Sequence, residues 1–531
     1  MNTAARSISF RVLVGMFFSG AAMFGAGTAD IPRLLPIAGS AAFKDLPWEA
    51  AGGCSTKKSV DDAVVLATDV PSDQAKGHHW FEAPIDLKPY RGKIVTFFVR
   101  YRAKNVSVPP QPYLGIKFML TYKNGENGTM QYPGARVPFG STDGWQDMAF
   151  NVSFSDLAST GVLALGLQDS SGKIEFLLES LQAGYVFSAE GRINLDYTIS
   201  YPDRVLHHKR LRGMMSSSSM KTGTLTAGDV ETLGEWNVNL MRAQLTRNWG
   251  KLGTDIDLEE YDQWLKGKLD DLEVSMKMAS ARGIKMVIDL HSPPGGKIAA
   301  NNMRMFFEKK YADHFVDVWR MIARRFKGNP SVWAYDLVNE PVQAMPAVYD
   351  YWNLQRMAAE AIREIDPDTP IMLESNESDR PQTYVYMSAL RMNNIIYKVH
   401  MYFPLSYTHQ GVFATGPFQK IAYPGLIEGE QWDREKIRQT LQPVRDFQLR
   451  HKAKIYVGEF SAVAWAPGAE KYLNDCIEIF EEYGWDWTYH AFREWNGWSV
   501  EHDGPDAQHL APALNTLKKQ TLLKYFQRNE R

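Results

Sequence analysis

Cysteine is nearly absent: Cys54 and Cys476 are the only two in 531 residues. They stand far apart with no Cys-x-x-Cys spacing, which speaks against a disulfide framework or a cysteine-built zinc site and leaves two ordinary thiols. Net charge is also scarce, at −2 with histidine neutral. Setting aside the first 29 residues, which hold Arg6 and Arg11 and no acid, leaves −4. Such a chain carries no electrostatic footprint for nucleic acid or an anionic membrane. Beyond the N-terminus no apolar run approaches membrane-spanning length. There is no 20–50-residue repeat, and the only low-complexity stretch is the serine run at 216–219.

What is present is a globular composition, 44% hydrophobic and 23% charged, with a generous 12% of aromatic residues. Most of those rings belong to cores, but sugar rings also stack on flat apolar faces, so the excess modestly favours a carbohydrate partner. At 531 residues, two domains or a large one with an appendage are expected. Arg6 and Arg11, the apolar run 12–26 and the small residues Gly27-Thr-Ala29 form a secretory leader over 1–29. The run is short and rich in Gly and Ala for a membrane span; an uncleaved anchor is the alternative.

Residues 30–187 have a β texture. Short apolar or alternating runs at 93–102, 114–122, 145–154, 162–167 and 173–187 are separated by turn formers such as Asn124-Gly-Glu-Asn-Gly128. This pattern predicts an all-β, jelly-roll-like sandwich. Residues 188–204 loosen into a linker. From 205 to 531 strands alternate with helices. Strand-like runs fall at 211–215, 238–245, 284–290, 332–338, 371–374, 395–402, 455–459 and 485–492. Amphipathic stretches lie at 306–326, 347–365, 434–451 and 469–483. Eight strands spaced by helices predict an α/β fold, a (β/α)8 TIM barrel. A doubly wound sheet is the runner-up, disfavoured because no Gly-rich phosphate loop follows the first strand.

In such a barrel the active site forms where strands end. Reading those ends gives Arg242, His291, Asn339 with Glu340, His400 with Tyr402, Glu459, and a last segment with His490, Trp495 and Trp498. Two carboxyls at the ends of two buried strands suit glycoside hydrolysis, which needs one protonated and one ionised. Taken in order, Arg242 in Leu240-Met-Arg-Ala-Gln-Leu245, His291 after Val287-Ile-Asp-Leu, Asn339-Glu340-Pro341, His400-Met-Tyr402 and Gly458-Glu459-Phe460 resemble glycoside hydrolase family 5. That family comprises retaining β-glycanases, many of them cellulases, and the resemblance covers roughly 205–520. It implies Glu340 as general acid/base, held protonated, and Glu459 as nucleophile, kept ionised by Arg242 with a hydrogen bond from Tyr402. It also implies Asn339 on the sugar 2-hydroxyl, and His291 and His400 lining the subsite where the bond breaks. Glu374, Glu377 and Glu494 are rival carboxyls without matching flanks.

One departure stands out. The family usually ends strand eight in a tryptophan, and here His490 holds that place, so Trp495 or Trp498 must supply the platform or the floor is polar. The sandwich half is similar, more loosely, to jelly-roll carbohydrate-binding modules, with Trp80, Tyr113, Tyr132 and Trp145 as candidate stacking residues; a purely structural prop is the alternative. The expected partner is a β-linked polysaccharide or oligosaccharide, with no cofactor, no metal, no nucleic acid, no membrane after leader cleavage, and a monomeric chain. A non-catalytic sugar-binding barrel is the alternative from another class. A metal-dependent hydrolase is disfavoured because His291 and His400 have no partners at ligand spacing along the chain.

Overall fold

The computed structural model describes residues 34–60, 63–125, 128–187, 196–216, 226–412, 414 and 418–530. The leader over 1–29, the first part of the linker (188–195) and the serines at 217–219 lie outside the described residues. Among the described residues no helix is long and apolar enough to cross a membrane.

The N-terminal half is a sandwich of two antiparallel sheets. One runs in the order β1 (Ser55–Val60), β2 (Ala63–Val70), β8 (Gly172–Tyr185), β4 (Ile94–Lys104), β6 (Gln146–Ser153), with Leu35–Pro36 paired to β8. The other runs Glu49–Ala51, β3 (His78–Asp86), β7 (Ala158–Gln168), β5 (Gly115–Asn124), Met130–Gln131. Alternation builds the core. Ile116, Phe118, Leu120 and Tyr122 of β5 and Leu163, Leu165 and Leu167 of β7 turn inward. They meet rings of the facing sheet, where Phe97 stacks on Phe150 at 5.1 Å and Phe118 reaches Phe150 edge to face at 4.8 Å.

The C-terminal half closes eight parallel strands into a barrel: β9 (Arg212–Ser216), β10 (Leu240–Gln244), β11 (Lys285–Asp289), β12 (Val332–Asp336), β13 (Ile371–Glu374), β14 (Ile395–Met401), β15 (Lys454–Phe460) and β16 (Asp486–Phe492). All eight coincide with the strand-like runs of the sequence. Helices α1 (Ala227–Glu235), α2 (Leu258–Ser280), α3 (Lys309–Phe326), α4 (Tyr351–Arg363), α5 (Arg434–His451), α6 (Ala469–Tyr483) and α7 (Leu517–Phe526) surround it. Between β13 and β14 only short turns, Asn376–Asp379 and Pro381–Val385, make the crossover.

The longest helix, α2, starts where Asp257 caps the backbone N–H groups of Glu259 and Glu260. It buries Tyr261, Leu265, Leu269, Leu272 and Met276, at spacings of three and four, against the barrel.

The halves share a continuous apolar core. Tyr185 packs on Tyr386 at 4.5 Å and Phe187 on Trp352 at 6.4 Å. Across the same junction Lys436 pairs with Asp156 at 2.8 Å, and Asn151 donates to Glu377. The described part of the linker is packed rather than loose: Ile199 and Tyr201 are buried, and the Tyr201 hydroxyl donates to the Ile395 carbonyl at 2.5 Å.

Candidate active site

The strand ends converge on a cavity of about 760 Å³ at the C-terminal mouth of the barrel. His291, Asn339, Glu340, His400, Tyr402, Glu459, His490, Trp495 and Trp498 all line it. Arg242 lies directly beneath and is wholly buried.

Arg242 organises the floor. Its Nη1 donates to Glu459 Oε1 at 2.7 Å, its Nε to Asp336 Oδ2 at 2.8 Å and its Nη2 to Asn339 Oδ1 at 2.9 Å, with Asp289 Oδ1 3.0 Å from Nη2. It therefore both pairs with structural acids of the barrel and holds the candidate nucleophile. Fork geometry is what lets one guanidinium serve several acceptors. Lys398 adds a second buried cation, 2.8 Å from Asp336 and paired with Glu374.

Glu459 is fixed from its other oxygen by the Tyr402 hydroxyl at 2.9 Å. Burial pushes its carboxyl up, but the charges of His400, His490 and Arg242 outweigh that and hold it well below the usual carboxylate range. Glu340 adopts a left-handed backbone, φ 47°, and its N–H donates to Glu374 Oε2 at 2.6 Å. Such a conformation costs a non-glycine residue about 1–3 kcal/mol and persists only when neighbours impose it. Here the neighbour is Glu374, one of the rival carboxyls, which is buried and serves as an anchor.

His400 stands between the two candidate carboxyls. Its Nδ1 is 3.1 Å from Glu340 Oε1 and its Nε2 is 3.8 Å from Glu459 Oε1. An oxygen of each glutamate and a nitrogen of His400 all lie within 4.8 Å of one another. The fold thus gives His400 two carboxylate neighbours that its spacing along the chain does not show.

Burial also pushes the Glu340 carboxyl up, and Glu459 adds to that. The His400 hydrogen bond, with the charges of His400 and Lys297, outweighs both and leaves Glu340 below its ordinary value. The direction is opposite to that expected of a carboxyl held protonated.

Asn339 is held at both ends of its amide. Oδ1 accepts from Arg242, and Nδ2 donates to His291 Nε2 at 3.1 Å, while His291 Nδ1 donates to Asp289 Oδ2 at 2.8 Å. That chain fixes the imidazole tautomer and the amide orientation.

His490 stands beside Glu459, its Nδ1 3.8 Å from Glu459 Oε2. Its Nδ1 lies 2.6 Å from the Tyr402 hydroxyl and its Nε2 3.1 Å from Glu494 Oε2. Burial pulls this imidazole down, but Glu494 and Glu459 more than reverse it, to about 9. The floor at this point is therefore cationic, and Glu494, another rival carboxyl, is its counter-ion. Trp498 and Trp495 follow, 5.5 Å apart and edge to face, with Trp498 5.6 Å from His490. The apolar surface of the site comes from this following loop. The third rival, Glu377, sits at the sandwich junction, where burial raises its carboxyl to about 7.

Sequence reasoning missed Trp249 and His409, which line the cavity, and Asp289, Asp336 and Lys398 beneath it. The last three carried a usable signal: each is a charge inside an otherwise apolar strand, and a buried charge must be paired. Trp249 and His409 lie on loops, where no periodicity marks them.

Of the candidate stacking residues on the sandwich, Trp80, Tyr113 and Tyr132 line one groove of about 650 Å³, with Tyr113 67% and Tyr132 63% exposed. Trp145 does not belong to it. It packs against the small cluster of Ala63, Val65, Ala67 and Leu177, with Arg102 over its ring at 4.7 Å.

The family model of cellulase, glycosyl hydrolase family 5, matches residues 207–496. Endoglucanase C of Acetivibrio thermocellus is 26% identical over 295 residues, covering 50% of this chain and 84% of the relative. Cellodextrinase A of Ruminococcus flavefaciens is 22% identical over 265 residues, covering 48% and 75%. Among solved structures, endoglucanase Cel5A of Thermotoga maritima superposes with a TM-score of 0.45 at 19% identity, over 59% of this chain and 96% of that one.

Proposed function

We propose, from the premise that this chain belongs to the cellulase family, glycosyl hydrolase family 5, and is thereby a glycoside hydrolase, that it is a retaining β-glycanase. Its substrate is a β-linked glucan or related plant-wall polysaccharide, cleaved within the chain by double displacement. The observation that carries this reading is the pairing of Glu340 and Glu459 in one cavity, with oxygens within 4.8 Å and His400 between them. Retaining hydrolysis uses carboxyls roughly 5–5.5 Å apart, whereas inversion needs room for a water between them.

The steps follow from the geometry. Glu459, held ionised and oriented by Arg242 and Tyr402, attacks the anomeric carbon. The bond to the leaving oxygen breaks as Glu340 delivers a proton to it. A sugar that displaces water from around Glu340 removes the solvation favouring its charge, and with the Glu459 carboxylate beside it Glu340 takes up a proton from bulk water as the substrate binds. Once Glu459 is esterified its charge is gone. Glu340 falls back and, as base, takes a proton from the water that hydrolyses the intermediate. Asn339 meets the 2-hydroxyl.

His490 in place of a flat apolar ring favours a second substrate reading, a different β-glycan such as mannan, xylan or a glycoconjugate, because a cationic floor hydrogen-bonds where a tryptophan would stack. The N-terminal leader favours a secreted or periplasmic location. The aromatic groove with Trp80, Tyr113 and Tyr132 favours sugar binding by the sandwich, which would raise local enzyme concentration on a polymer.

A polysaccharide panel with product sizing, run with and without chelator, tests these points together. The expected result is chelator-insensitive release of mixed oligosaccharides from a soluble β-glucan, and retention of the chain on the insoluble polymer. Release of monosaccharide alone would overturn internal cleavage. Activity confined to mannan or xylan would overturn the glucan assignment.

A further inference from the structure

A second cavity, of about 340 Å³, lies between the barrel and the sandwich. It shares three wall residues with the catalytic cavity: Arg380, Phe403 and Leu405. Its far wall is sandwich, at Asn124 and Ser155, and its near wall is α5, at Gln439 and Thr440. Lys436 closes the base by pairing with Asp156 of the sandwich and Glu430 of the barrel, each at 2.8 Å. The walls are thus rich in amides, hydroxyls and charges, the groups that bind sugar hydroxyls, and the two cavities fall in the volume range of small-ligand sites.

Arg380 stands on the ridge between the cavities. Its guanidinium lies over the Phe403 ring at 5.7 Å, and its charge acts against the burial that raises Glu377. The segment that carries it is fixed from both sides. Ser378 N–H donates to the Pro341 carbonyl, next to Glu340, at 3.2 Å, and Asn151 of the sandwich donates to Glu377. Glu377, Ser378 and Asp379 all take left-handed backbone, φ 56°, 62° and 55°. Three successive non-glycine residues in that region need outside contacts to hold them, and one of those contacts comes from the other domain.

We propose that the substrate cleft continues over Arg380 into this crevice, so that a β-linked chain on the leaving-group side of the cut is held jointly by barrel and sandwich. The side follows from the barrel order. Asn339 turns to His291 and fixes the attacked sugar on the arc of β11 and β10. Ser378, Arg380 and Phe403 occupy the opposite arc, after β13 and β14, the side on which Glu340 Oε1 meets His400 of β14 at 3.1 Å. The sandwich then completes the active-site cleft as well as lying beside it. The inference rests on the β-glycanase reading.

The test compares cellohexaose, long enough to reach the crevice, with 4-nitrophenyl β-cellobioside, whose leaving group is too small to do so. Gln439→Trp narrows the crevice from an exposed helix position outside the catalytic cavity. It is expected to lower kcat/KM for cellohexaose about tenfold, the equivalent of one or two lost sugar contacts, to shift the bond cleaved, and to leave the aryl glycoside unchanged. Arg380→Ala is expected to lower cellohexaose turnover more than aryl glycoside turnover. Equal effects on both substrates, or no effect of either variant on cellohexaose, would overturn the proposal. A wild-type enzyme inert on both substrates would instead remove the glucan reading, and the proposal with it.

Discussion

Glu459→Gln is expected to lose about 10⁴–10⁶-fold in turnover, as other enzymes do when a covalent nucleophile is removed. The substitution keeps the size of the side chain, and its one carbonyl oxygen can still accept from Arg242 Nη1 while the amide nitrogen, a donor, loses the hydrogen bond that Tyr402 gives to Oε2; an unchanged melting temperature separates the missing carboxylate from a collapsed site. Glu340→Gln should behave differently. With an unactivated β-glycan it removes general acid catalysis and costs about 10²–10⁴-fold. With an aryl glycoside whose leaving group needs no proton, the first step is spared and the second, which needs Glu340 as base, becomes slow. A burst of released phenol followed by a slow steady state is the expected trace. Equal turnover of wild type and Glu459→Gln on the aryl substrate would contradict the assignment of roles.

Arg242 carries the second large effect. Its guanidinium is wholly buried and pairs with Asp289, Asp336 and Glu459 at 3.0, 2.8 and 2.7 Å. Replacing it with leucine leaves Lys398 as the nearest buried cation for these acids. Breaking a buried ion pair by removing one partner costs about 3–5 kcal/mol, so Arg242→Leu should unfold at clearly lower temperature and show no measurable turnover. Arg242→Lys keeps a charge but not the fork, and is the variant for kinetics. In the proposed mechanism Glu459 attacks as a carboxylate, and its carboxyl sits well below the ordinary range with Arg242 among the causes. Weakening that contact raises the carboxyl, so activity is lost at a higher pH as pH falls. The acid limb of kcat/KM should move upward in Arg242→Lys, and an unmoved limb would show that the arginine only holds the barrel together.

The barrel was legible because its strands are buried on both faces and read as apolar runs that stop at a polar residue. Val332–Asp336 followed by Asn339-Glu340-Pro341 is one instance, and Lys454–Phe460 with Glu459 is another. The sandwich was harder. His78–Asp86 exposes one face and mixes His, Trp, Glu and Pro, so its alternation is hidden. Helix α2 was passed over because charge dominates its composition while its buried stripe is sparse.

At the site, identity and order of strand-end residues came from the chain, but division of labour did not. Glu374, Glu377 and Glu494 look alike in sequence. Only three-dimensional placement makes them an anchor for the Glu340 backbone, a junction contact and the counter-ion of His490. The protonation of Glu340 likewise depends on His400, sixty residues away.

In the proposed mechanism Glu459 attacks the anomeric carbon and Glu340 gives up a proton in the first displacement and takes one in the second. Proton NMR of the first-formed sugar from a β-configured aryl glycoside tests it most directly, before mutarotation mixes the anomers. The mechanism predicts that the β-anomer appears first and the α-anomer only later. An α-anomer as the initial product would mean single displacement by water and would contradict the account.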